Sequence, residues 1–92
     1  MTFTIRYDRV ALAELMELRG ADRATITKQV REQLAEKPTI VTRRMKEIVR
    51  ASGERIWQLS VGDYRILYSI DDVNRTVEIM AIGHRMDVYR EL

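Results

Sequence analysis

The 92-residue sequence contains no cysteine and a single histidine, His84. Without thiols, the chain can form neither a disulfide framework nor a thiolate metal site, and one histidine argues against a zinc site built from protein ligands alone. We therefore expect no metal ion and no other cofactor. A chain without disulfides also suits the reducing cytoplasm, which is the location that we expect.

Long apolar runs are missing as well. No segment approaches the roughly 20 apolar residues of a membrane-spanning helix, and the order of charged and apolar residues in a signal peptide is absent from the N-terminus. Apolar residues make up 46% and charged residues 33% of the chain, a globular composition. With no internal repeat or low-complexity tract, the sequence predicts a single domain over residues 1–92, without membrane association.

Neither sign of charge predominates, because 16 lysines and arginines stand against 14 acidic residues and the formal net charge is only +2. The basic residues are nevertheless unevenly distributed, and five of them fall between residues 42 and 55, where only two acidic residues occur. These five are Arg43, Arg44, Lys46, Arg50 and Arg55. Such a patch can attract nucleic acid or an acidic protein segment, although a solvated charged face has the same composition.

The first half of the chain predicts a strand followed by two helices. Residues 2–7 alternate apolar and polar side chains, and Asp8 then stands where a helix N-cap is expected. The first helix is predicted to stop at Arg19-Gly20, and the second to run from Asp22 to near Glu36, before Pro38. The segment 39–52 is left open between a loop with a short helical turn and an irregular strand.

The second half predicts a tight hairpin over residues 55–61 and 64–70, joined by a Gly62-Asp63 turn of type II′. A two-residue turn places Val61 opposite Tyr64. One face then forms the core and carries Trp57, Leu59, Val61, Tyr64, Ile66, Tyr68 and Ile70. The other face is expected to be open, with Arg65 near its middle, and carries Gln58, Ser60, Arg65, Leu67 and Ser69.

A last strand is predicted after the turn at residues 71–75. Over residues 76–82, Val77, Ile79 and Ala81 alternate with Glu78, Met80 and Ile82, and Gly83 is expected to end the pairing. The predicted fold is therefore α+β, in the order β-α-α-β-β-β, with a helical hairpin packed on one face of a small, mainly antiparallel sheet. The opposite face of this sheet is expected to stay exposed.

Three segments carry a family resemblance: IWQLSVGDYRILY at residues 56–68, VEIMAIGHR at 77–85 and VY at 88–89. Together they resemble the RelE/ParE toxin superfamily, and its RelE-like branch most closely. The resemblance implies an α+β toxin of a type II toxin-antitoxin system, bound by an acidic antitoxin in a hetero-oligomer. It further implies a ribosome-dependent endoribonuclease that cuts messenger RNA without a metal, through attack of the 2′-OH on the adjacent phosphate.

The residues that match the family site are Arg65, Arg85 and Tyr89. An arginine suits phosphate binding because its planar guanidinium donates paired hydrogen bonds and stays protonated. The structural alternative for Arg65 is a surface arginine in a cross-strand ion pair, and the alternative for Arg85 is an ordinary loop arginine after a glycine. Tyr89 could stack on a nucleobase or transfer a proton, or it could instead pin the C-terminus to the domain.

The general base is left open by a departure from the family. RelE-like enzymes carry lysines on the strand before the turn, where this sequence has Ile56 and Gln58. The candidates that remain are Lys46, His84, Asp87 and Tyr89, and of these only His84 has a side chain that ordinarily exchanges a proton near neutral pH.

Further contacts with RNA are predicted for residues of the basic patch and of the open face: Arg43, Arg44, Arg55, Gln58 and Ser60. Three hypotheses for function follow. The first is the ribonuclease, which the Gly83-His84-Arg85 motif and Tyr89 favour. The second is a ParE-like toxin directed at gyrase. The third, favoured by the missing lysines, is a catalytically silent module that binds an antitoxin or RNA.

Overall fold

Two helices and five strands form the part of the chain that the computed structural model describes, which comprises residues 2–36, 38 and 45–88. The elements are β1 (Thr4–Tyr7), α1 (Arg9–Glu17), α2 (Gly20–Leu34), β2 (Met45–Val49), β3 (Arg55–Val61), β4 (Tyr64–Asp71) and β5 (Thr76–His84). Neither helix is long and apolar enough to cross a membrane, among the residues described.

The sheet order is β1-β5-β4-β3-β2. β1 pairs in parallel with β5, Thr4 opposite Thr76, and the other neighbours are antiparallel. The predicted α+β class and mainly antiparallel sheet are confirmed. β2 adds a fifth strand from the segment that the sequence left open, and residues 39–44 of that segment lie outside the described residues.

α1 begins as predicted but ends differently. The Asp8 carboxylate accepts a hydrogen bond from the Ala11 N–H at 2.8 Å, which confirms the N-cap. Gly20, however, is the first residue of α2 and has no positive φ, so the predicted stop at Gly20 and the predicted start at Asp22 are wrong.

An arginine takes the place of the expected glycine stop. The Arg23 guanidinium donates hydrogen bonds to the carbonyls of Leu15, Met16 and Leu18 at 3.0 to 3.3 Å. Carbonyls in the last turn of a helix have no partner within the helix, and a glycine motif commonly satisfies them. Because α2 supplies Arg23 for this purpose, α1 can stop without a left-handed residue.

The main core lies between the helices and one face of the sheet. The buried helix residues are Ala11, Leu15, Ile26, Val30 and Leu34, and the buried residues of the hairpin are Leu59, Ile66 and Tyr68. The predicted packing of both helices on one side is thus confirmed. The register is also confirmed, since Val61 pairs with Tyr64, and Gly62 has a φ of +57° that suits the first position of a type II′ turn.

The opposite face of the sheet is not open, as the sequence had predicted. A second buried cluster lies there and contains Ile56, Leu67, Ala81 and Val88. Gln58 and Leu67 are only 3% and 1% exposed. The prediction was wrong because the chain after β5 turns back and brings Val88 onto this face, a long-range contact that strand alternation alone does not reveal.

A bulge in β5 changes the predicted alternation of its side chains. Leu67 pairs with Ala81, whereas the next residue, Tyr68, pairs with Ile79, so that Met80 is an extra residue in the ladder. From this point the faces exchange: Ala81 joins the second cluster and Ile82 joins the main core. The predicted grouping of Ala81 with Val77 and Ile79 was therefore wrong.

The predicted end of pairing at Gly83 was also wrong, since Gly83 pairs with Arg65 and His84 with Tyr64. A side chain of α1 holds the β5 backbone just after the bulge. The Glu14 carboxylate accepts a hydrogen bond from the Ile82 N–H at 2.9 Å. β5 consequently runs to the level of the β3–β4 turn.

Tyr68 contributes to stability through a buried hydrogen bond. Its hydroxyl donates to the Pro38 carbonyl at 2.9 Å, and the tyrosine is fully buried. In a Tyr68→Phe variant the carbonyl loses its partner inside the protein. We expect the free energy of unfolding, measured by urea denaturation at neutral pH, to fall by about 1 to 3 kcal/mol.

The same variant tests a pH dependence. Burial raises the pKa of Tyr68 above its ordinary value of 10.0, so the folded protein favours the neutral phenol. The buried neutral phenol therefore contributes to the free energy of unfolding. This contribution is complete below about pH 10, and above that pH it falls by up to about 1.4 kcal/mol per pH unit. The stability difference between the wild type and Tyr68→Phe should therefore shrink above about pH 10. If the two proteins differed in unfolding free energy by the same amount at about pH 8 and about pH 11, this expectation would be contradicted.

Candidate functional site

The candidate site lies where the β3–β4 turn meets the end of β5. Arg65 is the second residue of β4, not mid-strand as expected, and pairs with Ser60 on one side and Gly83 on the other. Its neighbour Ile66 belongs to the main core, so alternation places Arg65 on the face away from the helices.

The Arg65 guanidinium is held against the turn. Its Nη1 donates hydrogen bonds to the Gly62 carbonyl at 2.8 Å and to the Tyr64 carbonyl at 2.9 Å. Within the described residues, Nε and Nη2 make no hydrogen bond and no carboxylate pairs with this arginine. The backbone thus orients the guanidinium through Nη1, and residues 2–36, 38 and 45–88 leave its other two nitrogens to bind an anion.

Arg85 is anchored to the same turn through its backbone. The Arg85 N–H donates to the Asp63 carbonyl at 2.8 Å, so the first residue after β5 lies beside the turn that holds Arg65. Its side chain is exposed and makes no ion pair with any described residue. The structure therefore brings two arginines to one turn.

The chain after Arg85 forms a tight turn. The Asp87 N–H donates to the His84 carbonyl at 2.8 Å, and the Met86 N–H donates to His84 Nδ1 at 3.3 Å. His84 thus acts in the structure as an acceptor that organises this turn. The turn ends on Val88, which is 2% exposed and lies against Gly83.

His84 itself lies on the other side of the sheet from Arg65. It pairs with Tyr64, whose hydroxyl donates to the Asp22 carboxylate of α2 at 3.2 Å, on the helix side. Partial burial and this hydrogen bond raise the pKa of Tyr64, so the phenol stays protonated at neutral pH. The register therefore separates the imidazole from the guanidinium of Arg65.

Lys46, Gln58 and Ser60 lie on the same face as Arg65. Ser60 is directly opposite Arg65, and Lys46 is exposed and pairs with Gln58. Lys46 is two strands away from β4, or about 10 Å. Gln58, in contrast, is almost fully buried, and its predicted contact with RNA would require movement of the residues that cover it.

Arg55 does not belong to this group. It lies at the start of β3, about 17 Å along the strand from Ser60, and alternation places it on the helix side with Trp57. It is exposed and its guanidinium is 3.9 Å from the Glu47 carboxylate. The predicted site residues Arg43, Arg44 and Tyr89 lie outside the described residues.

Chemically, this arrangement offers two guanidinium groups and a serine hydroxyl to an anionic ligand. Among residues 2–36, 38 and 45–88, no group of three or more histidine or acidic side chains is arranged to hold a metal ion. The sequence analysis named Val88 only as part of the family resemblance and did not predict that it packs in the second cluster. One signal was available. Val88 is an apolar residue four positions after the end of β5, and an apolar residue there indicates that the chain folds back onto the domain.

Comparison with known proteins gives a consistent picture. The profile of the family described as ParE toxin of type II toxin-antitoxin system, parDE, matches residues 5–89. Toxin RelG of Mycobacterium tuberculosis is 29% identical over 90 residues, which are 98% of this chain and 99% of that protein. Both matches cover nearly the whole length of the chain.

Solved structures agree in fold. The toxin-antitoxin complex RelBE2 of Mycobacterium tuberculosis contains a chain that superposes with a TM-score of 0.79 at 28% identity, covering 92% of this chain and 100% of that one. The archaeal RelE-RelB complex of Pyrococcus horikoshii gives a TM-score of 0.70 at 16% identity, covering 96% and 100%. The latter similarity concerns the fold alone.

Proposed function

This chain belongs to the ParE toxin family of type II toxin-antitoxin systems, and from its likeness to Toxin RelG and to the RelBE2 complex we propose that it is a ribosome-dependent endoribonuclease that cuts messenger RNA without a metal ion. The observation that carries this proposal is the joint placement of Arg65 and Arg85 at the β3–β4 turn. Two guanidinium groups near one phosphate suit the charge of a phosphorane better than that of the starting phosphodiester.

The proposed reaction is an attack of a ribose 2′-OH on the adjacent phosphate. The proton of the 2′-OH passes to a base, the P–O5′ bond breaks, and the 5′-oxygen takes up a proton. The products are a 2′,3′-cyclic phosphate and a 5′-OH end. Arg65 and Arg85 bind the non-bridging oxygens and stabilise the charge that accumulates on them in the transition state.

Three of the described residues are candidates for the general base: Lys46, His84 and Asp87. Lys46 lies two strands from Arg65, and the register places His84 on the helix side of the sheet. Asp87 lies in the turn that carries Arg85, and its carboxylate can accept a proton. We therefore favour Asp87 over Lys46 and His84 among the described candidates, with Tyr89, two residues further on, as the remaining one.

The proposed protein partner is an acidic antitoxin in a hetero-oligomer, and the chains that superpose on this one come from toxin-antitoxin complexes. α1 presents three large apolar side chains to solvent, Val10, Leu12 and Met16, which are 47%, 49% and 57% exposed. Exposed apolar patches are typical of interaction surfaces. An antitoxin segment with apolar and acidic residues would cover this patch and contact the basic residues.

The test is to incubate the purified chain with programmed ribosomes and, in parallel, with the same messenger RNA alone. We expect cuts inside translated codons only when ribosomes are present, and the cut ends should carry 2′,3′-cyclic phosphates. Intact messenger on programmed ribosomes would contradict the proposal. If purified gyrase instead accumulates double-strand breaks in the presence of the chain, the toxin is directed at gyrase.

A further inference from the structure

The turn that follows β5 is built on its first residue, His84. The Met86 N–H donates to His84 Nδ1 at 3.3 Å, and the Asp87 N–H donates to the His84 carbonyl at 2.8 Å. A side chain that accepts from the backbone two residues further on is the pattern of an Asx turn, where asparagine or aspartate usually supplies the acceptor. In this chain an imidazole takes that role.

This turn carries two groups of the proposed reaction, Arg85 and Asp87. Its start is fixed by the hydrogen bond from the Arg85 N–H to the Asp63 carbonyl, and its end is fixed by the buried Val88. The residues between these two points are exposed, so packing in the core does not set their conformation. The two hydrogen bonds that His84 accepts are therefore the contacts that shape the turn.

The imidazole can act on the reacting groups only through the backbone. Ile82, two residues earlier in β5, belongs to the main core, so alternation places the His84 side chain on the helix side, away from Arg65. A neutral imidazole that accepts through Nδ1 carries its proton on Nε2. Nδ1 therefore has a structural role that depends on its lone pair.

We propose that His84 is a positioning residue for the ribonuclease: its neutral imidazole holds the turn in the conformation that directs Arg85 and Asp87 to the bound phosphate. The inference rests on the proposed cleavage of RNA. A protonated imidazole has a donor at each nitrogen and no acceptor, so the Met86 N–H then loses its partner. Because histidine ordinarily changes charge between about pH 5 and pH 8, cleavage should depend on the charge of His84 in this range.

Asparagine is the matched replacement for this residue. Its Oδ1 is bonded to Cγ, as Nδ1 is in histidine, so His84→Asn can accept the same hydrogen bond but cannot take up a proton. His84→Ala has no acceptor. Since residue 84 is exposed, neither change removes buried surface, and both variants should unfold at nearly the same urea concentration as the wild type.

The elements around His84 carry other charged or titratable groups. They are Glu14 on α1, Arg19 and Asp22 at the start of α2, Asp63 in the β3–β4 turn, Tyr64 on β4, and Arg85 and Asp87 in the same turn as His84. All of these groups are the same in the wild type and in His84→Asn. A difference in pH dependence between the two proteins therefore reports the titration of His84.

The hydrogen bond is tested first on the chain without RNA. In ¹⁵N NMR spectra of the imidazole at about pH 8, Nδ1 should be the nitrogen without a proton. As the pH is lowered to about 6, the Met86 amide resonance should move together with the His84 ring resonances, and in His84→Asn it should stay in place. A neutral imidazole with its proton on Nδ1 would overturn the proposal, since Nδ1 could not then accept.

Cleavage of messenger on programmed ribosomes tests the role in the reaction. At about pH 8, His84→Asn should cut at the wild-type rate, and His84→Ala about three- to tenfold more slowly, the loss expected for one ordinary hydrogen bond. The loss should appear in the rate at saturating toxin and not in the apparent affinity for ribosomes. At about pH 6, the wild type should cut about threefold more slowly than His84→Asn.

The outcomes separate this inference from the proposed ribonuclease. If His84→Asn is as slow as His84→Ala, the inference is overturned, because the imidazole then transfers a proton itself. Equal rates in all three proteins at both pH values would also overturn it, since the turn would hold without the acceptor. A chain that cuts no messenger in any form, with the Nδ1 hydrogen bond intact, would instead refute the ribonuclease, and with it the part of His84 in cleavage.

Discussion

Replacing Arg65 and Arg85 together with alanine is expected to abolish the growth arrest that we predict for the wild-type chain on induction. In the proposed reaction both guanidinium groups stabilise charge on the phosphate in the transition state, and removal of one such donor commonly costs about 10² to 10³ in rate. We expect the double variant to cut messenger on programmed ribosomes at least about 10³-fold more slowly. Primer extension after induction should show the loss of cuts within translated codons.

Arg55→Ala is the control for this experiment. It removes an exposed arginine from the same hairpin, but on the helix side and at the far end of β3. This variant also loses positive charge, but away from the β3–β4 turn. Arg55→Ala should therefore retain nearly full cleavage and full toxicity. Equal loss in both would mean that the arginines act through overall charge, and wild-type activity in the double variant would remove them from the mechanism.

The second large effect concerns Ile56, which stands where RelE-like enzymes carry a lysine. Ile56 is fully buried in the second cluster beneath Val88. Reintroducing the family residue as Ile56→Lys buries an unpaired ammonium group, an event that commonly costs 3 to 5 kcal/mol. We expect the free energy of unfolding to fall by about this amount in urea denaturation, with no gain in cleavage.

Ile56→Leu controls for the change of shape, since swaps that conserve volume in a core usually cost less than about 1.5 kcal/mol. A stable Ile56→Lys protein that cuts messenger faster than the wild type would contradict this expectation. It would mean that the second cluster opens readily and that the position still belongs to the reacting surface.

Local patterns were sufficient to predict much of the fold. The Asp8 cap and the register set by Gly62-Asp63 both depend on residues close together in sequence. Each of these features is dictated by helix-cap or turn chemistry. These predictions were confirmed because, in these segments, the conformation that the local sequence favours is also the one that packs in the folded domain.

The features that escaped prediction depend on residues far apart in sequence. Arg23 satisfies the end of α1 in place of a glycine, and Glu14 bonds the β5 backbone beside the bulge. Val88 covers a face that looked polar from the alternation of β3 and β4. None of these contacts has a periodic pattern, because each depends on how separate elements meet.

The candidate site was predictable only in part for the same reason. Family resemblance singled out Arg65 and Arg85, which both contact the β3–β4 turn, but it could not show that His84 lies on the helix side. Nor could it show that the Arg85 N–H donates to the Asp63 carbonyl, since these two residues come from separate parts of the chain. Such groupings arise from the sheet order and the bulge.

The parallel pairing of β1 with β5 joins the beginning of the chain to its end, with Ile5 opposite Val77. During translation, β1 therefore has no partner until β5 has been synthesised, and the closure of so long a loop is slow. A nascent chain interrupted before β5 lacks the strand that leads to Arg85, so the proposed mechanism predicts that it is inactive. The surface proposed to act on messenger RNA thus forms only after β5 has emerged, and an antitoxin that is already present can bind it as it appears.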